Sequence, residues 1–214
     1  MREKVIKAIE DNKIVTIVRG VESGKLIPLA EAMYKGGIRL IECTYDASGK
    51  VSDEETASYI EMLSKHFEGR MSVGAGTVLS EKQVELTAKA GGRFIISPDT
   101  CESVIKKTVE LGLVSIPGAL TPTEVETAHR YGADFVKVFP VNFMGPSYIK
   151  ALKAPLSHIR LLAVGGIDEN NMKDYMNAGA CGFGVATGIV NKTAVADGDF
   201  DAVTRLALKY TEQL

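Results

Sequence analysis

Apolar positions along this chain follow two alternating periods. Short runs rich in Val, Ile and Phe, such as 14–18 and 135–139, alternate with longer stretches in which apolar residues recur every three or four positions, as Thr56, Tyr59, Ile60, Leu63 and Phe67 do. The first pattern predicts strands and the second amphipathic helices. Eight strands are expected, at 14–18, 38–44, 71–76, 93–97, 113–117, 134–139, 159–164 and 181–186, preceded by a helix at 2–11. The junctions agree with this division. Glycine follows the helical stretches at Gly36-Gly37, Gly91-Gly92, Gly112, Gly132 and Gly179, where a left-handed residue would stop a helix. Ser80-Glu81-Lys82-Gln83 and Thr121-Pro122-Thr123-Glu124 match the capping box that starts one, and Asp168 offers a further cap.

Strict alternation of strand and helix argues for a parallel sheet, and eight repeats argue for a closed (β/α)8 TIM barrel with an extra N-terminal helix. A doubly wound open sheet is the alternative, but it needs no eightfold count. No linker or low-complexity tract divides the chain, so one barrel domain is expected over residues 1–214.

Composition removes several function classes. The 25 basic and 27 acidic residues give a net charge of −2 and are well mixed, so no basic stripe is available to track nucleic acid. No apolar run has the length of a membrane span and residues 1–13 lack the apolar core of a signal peptide, which predicts a soluble, cytoplasmic protein. Three widely spaced cysteines, Cys43, Cys101 and Cys181, suit reduced packing residues. His66, His129 and His158 lie on predicted helices without a second ligand at suitable spacing, so no metal site is expected. Neither a phosphate-binding Walker loop nor a dinucleotide fingerprint is present, and no cofactor is expected.

The candidate chemistry starts at Lys137. In Asp134-Phe135-Val136-Lys137-Val138-Phe139-Pro140, alternation puts the lysine on the face of Phe135 and Phe139, where a core is expected. A lysine there in water, on an edge strand, is the bland reading. A desolvated one would lose its proton more readily and could form a Schiff base with a carbonyl substrate. Glu42 is the second anomaly, alternating with Ile38 and Leu40 on one face of the second strand. With Lys137 it could form a structural ion pair or a nucleophile with a proton shuttle. Barrels place reacting groups at the C-terminal ends of strands. Those ends carry Arg19, Thr77, Pro98, Gly165-Gly166 and Thr187, of which the glycines and Thr187 suit a phosphate.

The segments GGIRLIECT, GAGTVLS, ISPDT, IPGALTPTE, DFVKVFP, ALKAPLSHIRLLAVGGI and FGVATGIV, in this order, resemble the 2-keto-3-deoxy-6-phosphogluconate and 4-hydroxy-2-oxoglutarate aldolase family over almost the whole chain. The resemblance implies a metal-free class I aldolase, a homotrimer, acting on a 2-keto-3-deoxy sugar acid phosphate. In that scheme Lys137 forms an imine with the substrate ketone, and Glu42, through a water, moves protons while the bond between the third and fourth carbons breaks. Pyruvate and an aldehyde, glyceraldehyde 3-phosphate or glyoxylate, result. Thr77 would help hold the pyruvyl carboxylate, Arg19 would be an active-site arginine, and Gly165, Gly166 and Thr187 would bind phosphate. Two positions depart from the family pattern. Asp46 stands where many members have a carboxylate-binding arginine, so Arg19 or Lys50 would have to compensate for its repulsion; Ala186-Thr187 replaces a common glycine-serine. The competing readings are a phosphosugar isomerase or epimerase barrel, and a non-catalytic phosphosugar-binding barrel.

Overall fold

A computed structural model describes residues 1–214. Nine parallel strand segments form one sheet curved into a nearly closed barrel: β1 (Ile14–Val18), β2 (Leu40–Thr44), β3 (Ser72–Gly76), β4 (Phe94–Ile96), β5 (Val114–Ile116), β6 (Gly118–Ala119), β7 (Val136–Val138), β8 (Leu161–Val164) and β9 (Gly182–Val185). Their order is β5-β4-β3-β2-β1-β9-β8-β7-β6. The ninth segment arises because the expected fifth strand is broken at Pro117. The part before the proline, β5, pairs with β4, and β6, which lies beyond the expected end at 117, pairs with β7. Amides of Asp134 and Phe135 also donate to the Ser115 carbonyl, at 3.0 and 3.3 Å, so both neighbours meet at this interrupted strand.

Helices cover the outside of the barrel: α2 (Ser23–Lys35), α3 (Asp53–His66), α4 (Glu81–Lys89), α5 (Glu102–Glu110), α6 (Pro122–Arg130), α7 (Pro146–Lys153), α8 (Met172–Asn177), α9 (Lys192–Asp197) and α10 (Phe200–Thr211). They begin and end for the reasons read from the sequence. Thr121 and Glu124 make the reciprocal capping box of α6; at the start of α4 the Ser80 hydroxyl accepts the Gln83 amide, but the Gln83 side chain accepts the Leu79 amide, so the expected box is only half formed. Gly37 and Gly91 have φ of 90° and 84°, a region that costs a side chain-bearing residue more than glycine. Asp168 differs from expectation. It accepts the Asn170 and Asn171 amides in the turn before α8, and the helix itself starts only at Met172.

Two apolar cores result. The larger lies between helices and the outer face of the sheet, and includes Ile41, Val136 and Val138. Ile38 belongs to this outer core and not to the face of Glu42, because it precedes the strand proper, which starts at Leu40. The smaller core fills the barrel. Val15, Leu40, Phe94, Ile96, Val114, Ile116, Phe135 and Leu162 point inward, and α1 (Arg2–Asn12) closes the N-terminal end beneath them with Val5, Ile6 and Ile9. Arg2 pairs with Asp134 at 2.8 Å and Arg160 with Glu10 at 2.9 Å, which pins both ends of α1 to the barrel.

Candidate active site

Above the inner core, alternation brings the next inward residue of each strand to the C-terminal mouth. Leu40 is followed by Glu42 on β2, and Phe135 by Lys137 on β7. The mouth opens into a cavity of about 800 Å³ lined by Arg19, Glu42, Thr77, Pro98, Lys137, Gly165, Gly166 and Thr187. All eight candidate residues, drawn from seven strand ends, therefore face one space.

Lys137 is 9% exposed and Glu42 2%, which rules out a lysine bathed in water. Burial lowers the lysine pKa from its ordinary value; Glu42 opposes that shift and Arg19 adds to it. The lysine Nζ lies 4.7 Å from the centre of the Phe139 ring, which forms one wall. Burial pushes the Glu42 carboxyl up to about 7, although Lys137 and Arg19 pull it down. Glu42 Oε2 has no hydrogen-bond partner, and no ion pair joins Glu42 to Lys137. The pair is thus coupled through space but not locked together, an arrangement suited to chemistry more than to joining two strands.

Room for the carboxyl comes from β3. A Cβ on Gly76 would collide with the Glu42 carboxylate, and one on Gly74 would collide with the Phe94 ring. The Gly74-Ala75-Gly76 run thus serves close packing on both layers of the interior. Directly after it, Thr77 has φ of 55°, an uncommon conformation for a β-branched residue. Its hydroxyl accepts a hydrogen bond from Arg19 at 3.1 Å, so the ends of β1 and β3 meet across the β2 acid. Backbone strain at such a position is a mark of functional sites.

On the opposite side, Gly165-Gly166 is shaped by Asn171. Its amide nitrogen donates to the Gly166 carbonyl at 2.8 Å, while its oxygen accepts the Asp168 amide at 3.0 Å. Asn171 was not identified from the sequence, since nothing in its spacing signals a loop contact. The same holds for Val164, Lys25 and Lys192, which also line the cavity.

Asp46 does not face the cavity. Its carboxylate accepts the amides of Ser48, Lys50 and Val51 and the Ser48 hydroxyl, all within its own loop, and these bonds lower its pKa to about 2. The expected repulsion of a substrate carboxylate is absent because the charge is turned away. Lys50 does not line the cavity either, which leaves Arg19 as the cation beside Thr77. No group of three or more His, Cys, Asp or Glu side chains could hold a metal ion.

A family model described as KDPG and KHG aldolase matches residues 5–206. A probable 2-dehydro-3-deoxy-6-phosphogalactonate aldolase of Rhizobium meliloti is 33% identical over 88% of this chain and 86% of its own. A KHG/KDPG aldolase of Escherichia coli is 32% identical over 92% of this chain and 89% of its own. Among solved structures, one described as native KDPGal superposes with a TM-score of 0.83 at 29% identity, covering 94% of this chain and 93% of that one.

Proposed function

The chain belongs to the KDPG and KHG aldolase family, whose relatives are named as aldolases and hence as carbon–carbon lyases, and from that premise we propose a class I, Schiff-base cleavage for it. The substrate is a 2-keto-3-deoxy-6-phospho sugar acid, cleaved to pyruvate and glyceraldehyde 3-phosphate; 4-hydroxy-2-oxoglutarate, cleaved to pyruvate and glyoxylate, is the second substrate. The observation that carries this reading is a buried amine and a buried acid facing one cavity without pairing.

The steps follow from that geometry. The neutral Lys137 amine adds to the ketone carbon, and Glu42, protonated at this stage, gives its proton to the departing hydroxyl, so that water leaves and an iminium remains. Glu42, now a carboxylate, takes the proton from the hydroxyl on the fourth carbon through a water as the bond between the third and fourth carbons breaks. The electron pair of that bond enters the iminium, the aldehyde departs and an enamine remains. Glu42 then returns a proton to the third carbon, and water releases pyruvate from the lysine. An acid with a pKa near 7 is suited to both directions of transfer. Arg19 and Thr77 are the proposed partners of the substrate carboxylate, with Pro98 forming the adjacent wall. Gly165, Gly166 and Thr187 are the proposed phosphate holders, and Asn171 sets the loop that carries the glycines.

Borohydride reduction with pyruvate tests the central step. Lys137 should gain the mass of pyruvic acid less one oxygen atom; absence of that adduct from active enzyme would refute the imine. A retro-aldol assay on the phosphogluconate and phosphogalactonate forms and on 4-hydroxy-2-oxoglutarate should give pyruvate from at least one. We further propose a homotrimer, supported by exposed Phe143, Met144 and Leu79, which a partner subunit could cover. Sedimentation as a monomer at all concentrations would exclude it. The chain has no helix long and apolar enough to cross a membrane, and its three cysteines are unpaired. We propose a role in cytoplasmic carbohydrate metabolism, supported by relatives named as sugar-acid phosphate aldolases and by the free cysteines, which fractionation of cells would check.

A further inference from the structure

At the opposite end of the barrel, away from Lys137, a second cleft of about 850 Å³ opens between α1, α3 and α4 at the starts of β2, β3 and β4. Six cationic side chains line it: Lys4, Arg39, Lys65, Arg70, Lys89 and Arg93. Only two carboxylates, Glu61 and Glu68, share the cleft, so the excess is four positive charges. The whole chain carries −2. The proposed active-site cavity, lined by Arg19, Lys25, Lys137 and Lys192 against Glu22 and Glu42, has an excess of only two.

The pairing within the cleft is lopsided as well. Lys65 is bonded to Glu61, and Arg70 to Glu31. Lys4, Arg39, Lys89 and Arg93 make no ion pair with any carboxylate; Arg39 instead donates to the Tyr34 and Ile38 carbonyls and lies 4.2 Å from the centre of the Tyr34 ring. In the α3 wall, the Ser64 hydroxyl is buried without a hydrogen-bond partner. A concave surface with unneutralised cations of one sign raises the local concentration of anions.

We propose that this cleft is a binding site for a small phosphorylated molecule carrying at least two negative charges, distinct from the aldolase site and independent of the function proposed for it. Cations from α1, α3, α4 and the approaches to three strands line one hollow, which fits a compact ligand better than a polymer tracked along a stripe.

Inorganic pyrophosphate, titrated at constant ionic strength into the isotope-labelled full chain, tests this. Amides around the cleft, at Gly69, Ser72 and Gly91, should shift and saturate with a midpoint of their own, separate from any response of Gly165 and Gly166. In a Lys89→Gln/Arg93→Gln variant the cleft midpoint should weaken by at least about tenfold, the worth of one charge-assisted hydrogen bond, while the response of Gly165 and Gly166 is unchanged. The proposal is overturned if the cleft amides do not saturate, if the variant responds like the parent, or if sodium chloride reproduces the shifts. A response to a single-stranded oligonucleotide but not to pyrophosphate would also overturn it, by assigning the cleft to a polymer.

Discussion

Replacing Lys137 by alanine removes the only amine buried in the cavity wall, so turnover should vanish. The fold should persist, since an unpaired buried amine carries a desolvation cost. Near-normal cleavage by Lys137→Ala would end the Schiff-base reading. Glu42→Gln should keep substrate binding and lose turnover by about a hundredfold or more, the usual worth of a placed proton-transfer group. The stability of the parent, which keeps the carboxyl, should change with pH in a definite direction. Because the folded carboxyl titrates near 7 and the ordinary value is 4.5, the folded state holds more protons than the unfolded one between those values. Stability due to this residue is therefore full below about 4.5, is lost as pH rises to about 7, and changes no further above it. Chemical denaturation at pH 5 and 8 should show Glu42→Gln gaining on the parent at the higher pH, by a few kcal/mol at most (roughly 1.4 per pKa unit). An equal difference at both values would contradict a buried, raised carboxyl. Gly76→Ala should resemble Glu42→Gln in turnover, because its methyl takes the space of the carboxylate; unaltered turnover would show that the acid can move without loss.

At the scale of the elements, the chain was legible wherever local chemistry decided the outcome. Helix α6 starts where Thr121, Pro122 and Glu124 require it, and Lys137 and Glu42 face inward because strands alternate. Where the outcome depended on a contact within a loop, the sequence was silent. Asp46 lies four residues from Glu42, where the family resemblance implied a charge facing substrate; only the turn through Ser48 and Val51 reveals an acceptor for three amides. Asn171 was hidden in the same way. The cationic cleft was hidden for a different reason: its side chains come from segments separated by as many as 89 residues between Lys4 and Arg93, so a charge census along the chain reads as well mixed. Asp46→Ala should loosen the β2–α3 loop while leaving the chemistry of Lys137 intact. Hydrogen exchange at Ser48, Lys50 and Val51 should accelerate, and borohydride trapping should continue; protection unchanged at those amides would refute the capping role.

For the molecule as a whole, α1 is the part that the barrel pattern alone does not demand. Its Ile9 is fully buried against the inner core, and Ile9→Ala should cost about 2–5 kcal/mol, measurable as a lower unfolding midpoint. Turnover at low temperature should hardly change, because Phe135 and Leu40 lie between the helix and the catalytic layer. Pro117 has an effect of wider reach. Having no amide hydrogen, it leaves the ladder one donor short where the two ends of the sheet meet, although its carbonyl still accepts the Lys137 amide at 2.9 Å, and the strand bearing the nucleophile forms one side of that seam. The cylinder should therefore part there first. Under mild urea, catalytic activity and the protection of the Lys137 and Val138 amides should fade before the far-ultraviolet helix signal, making this an enzyme that goes silent while most of its architecture still stands.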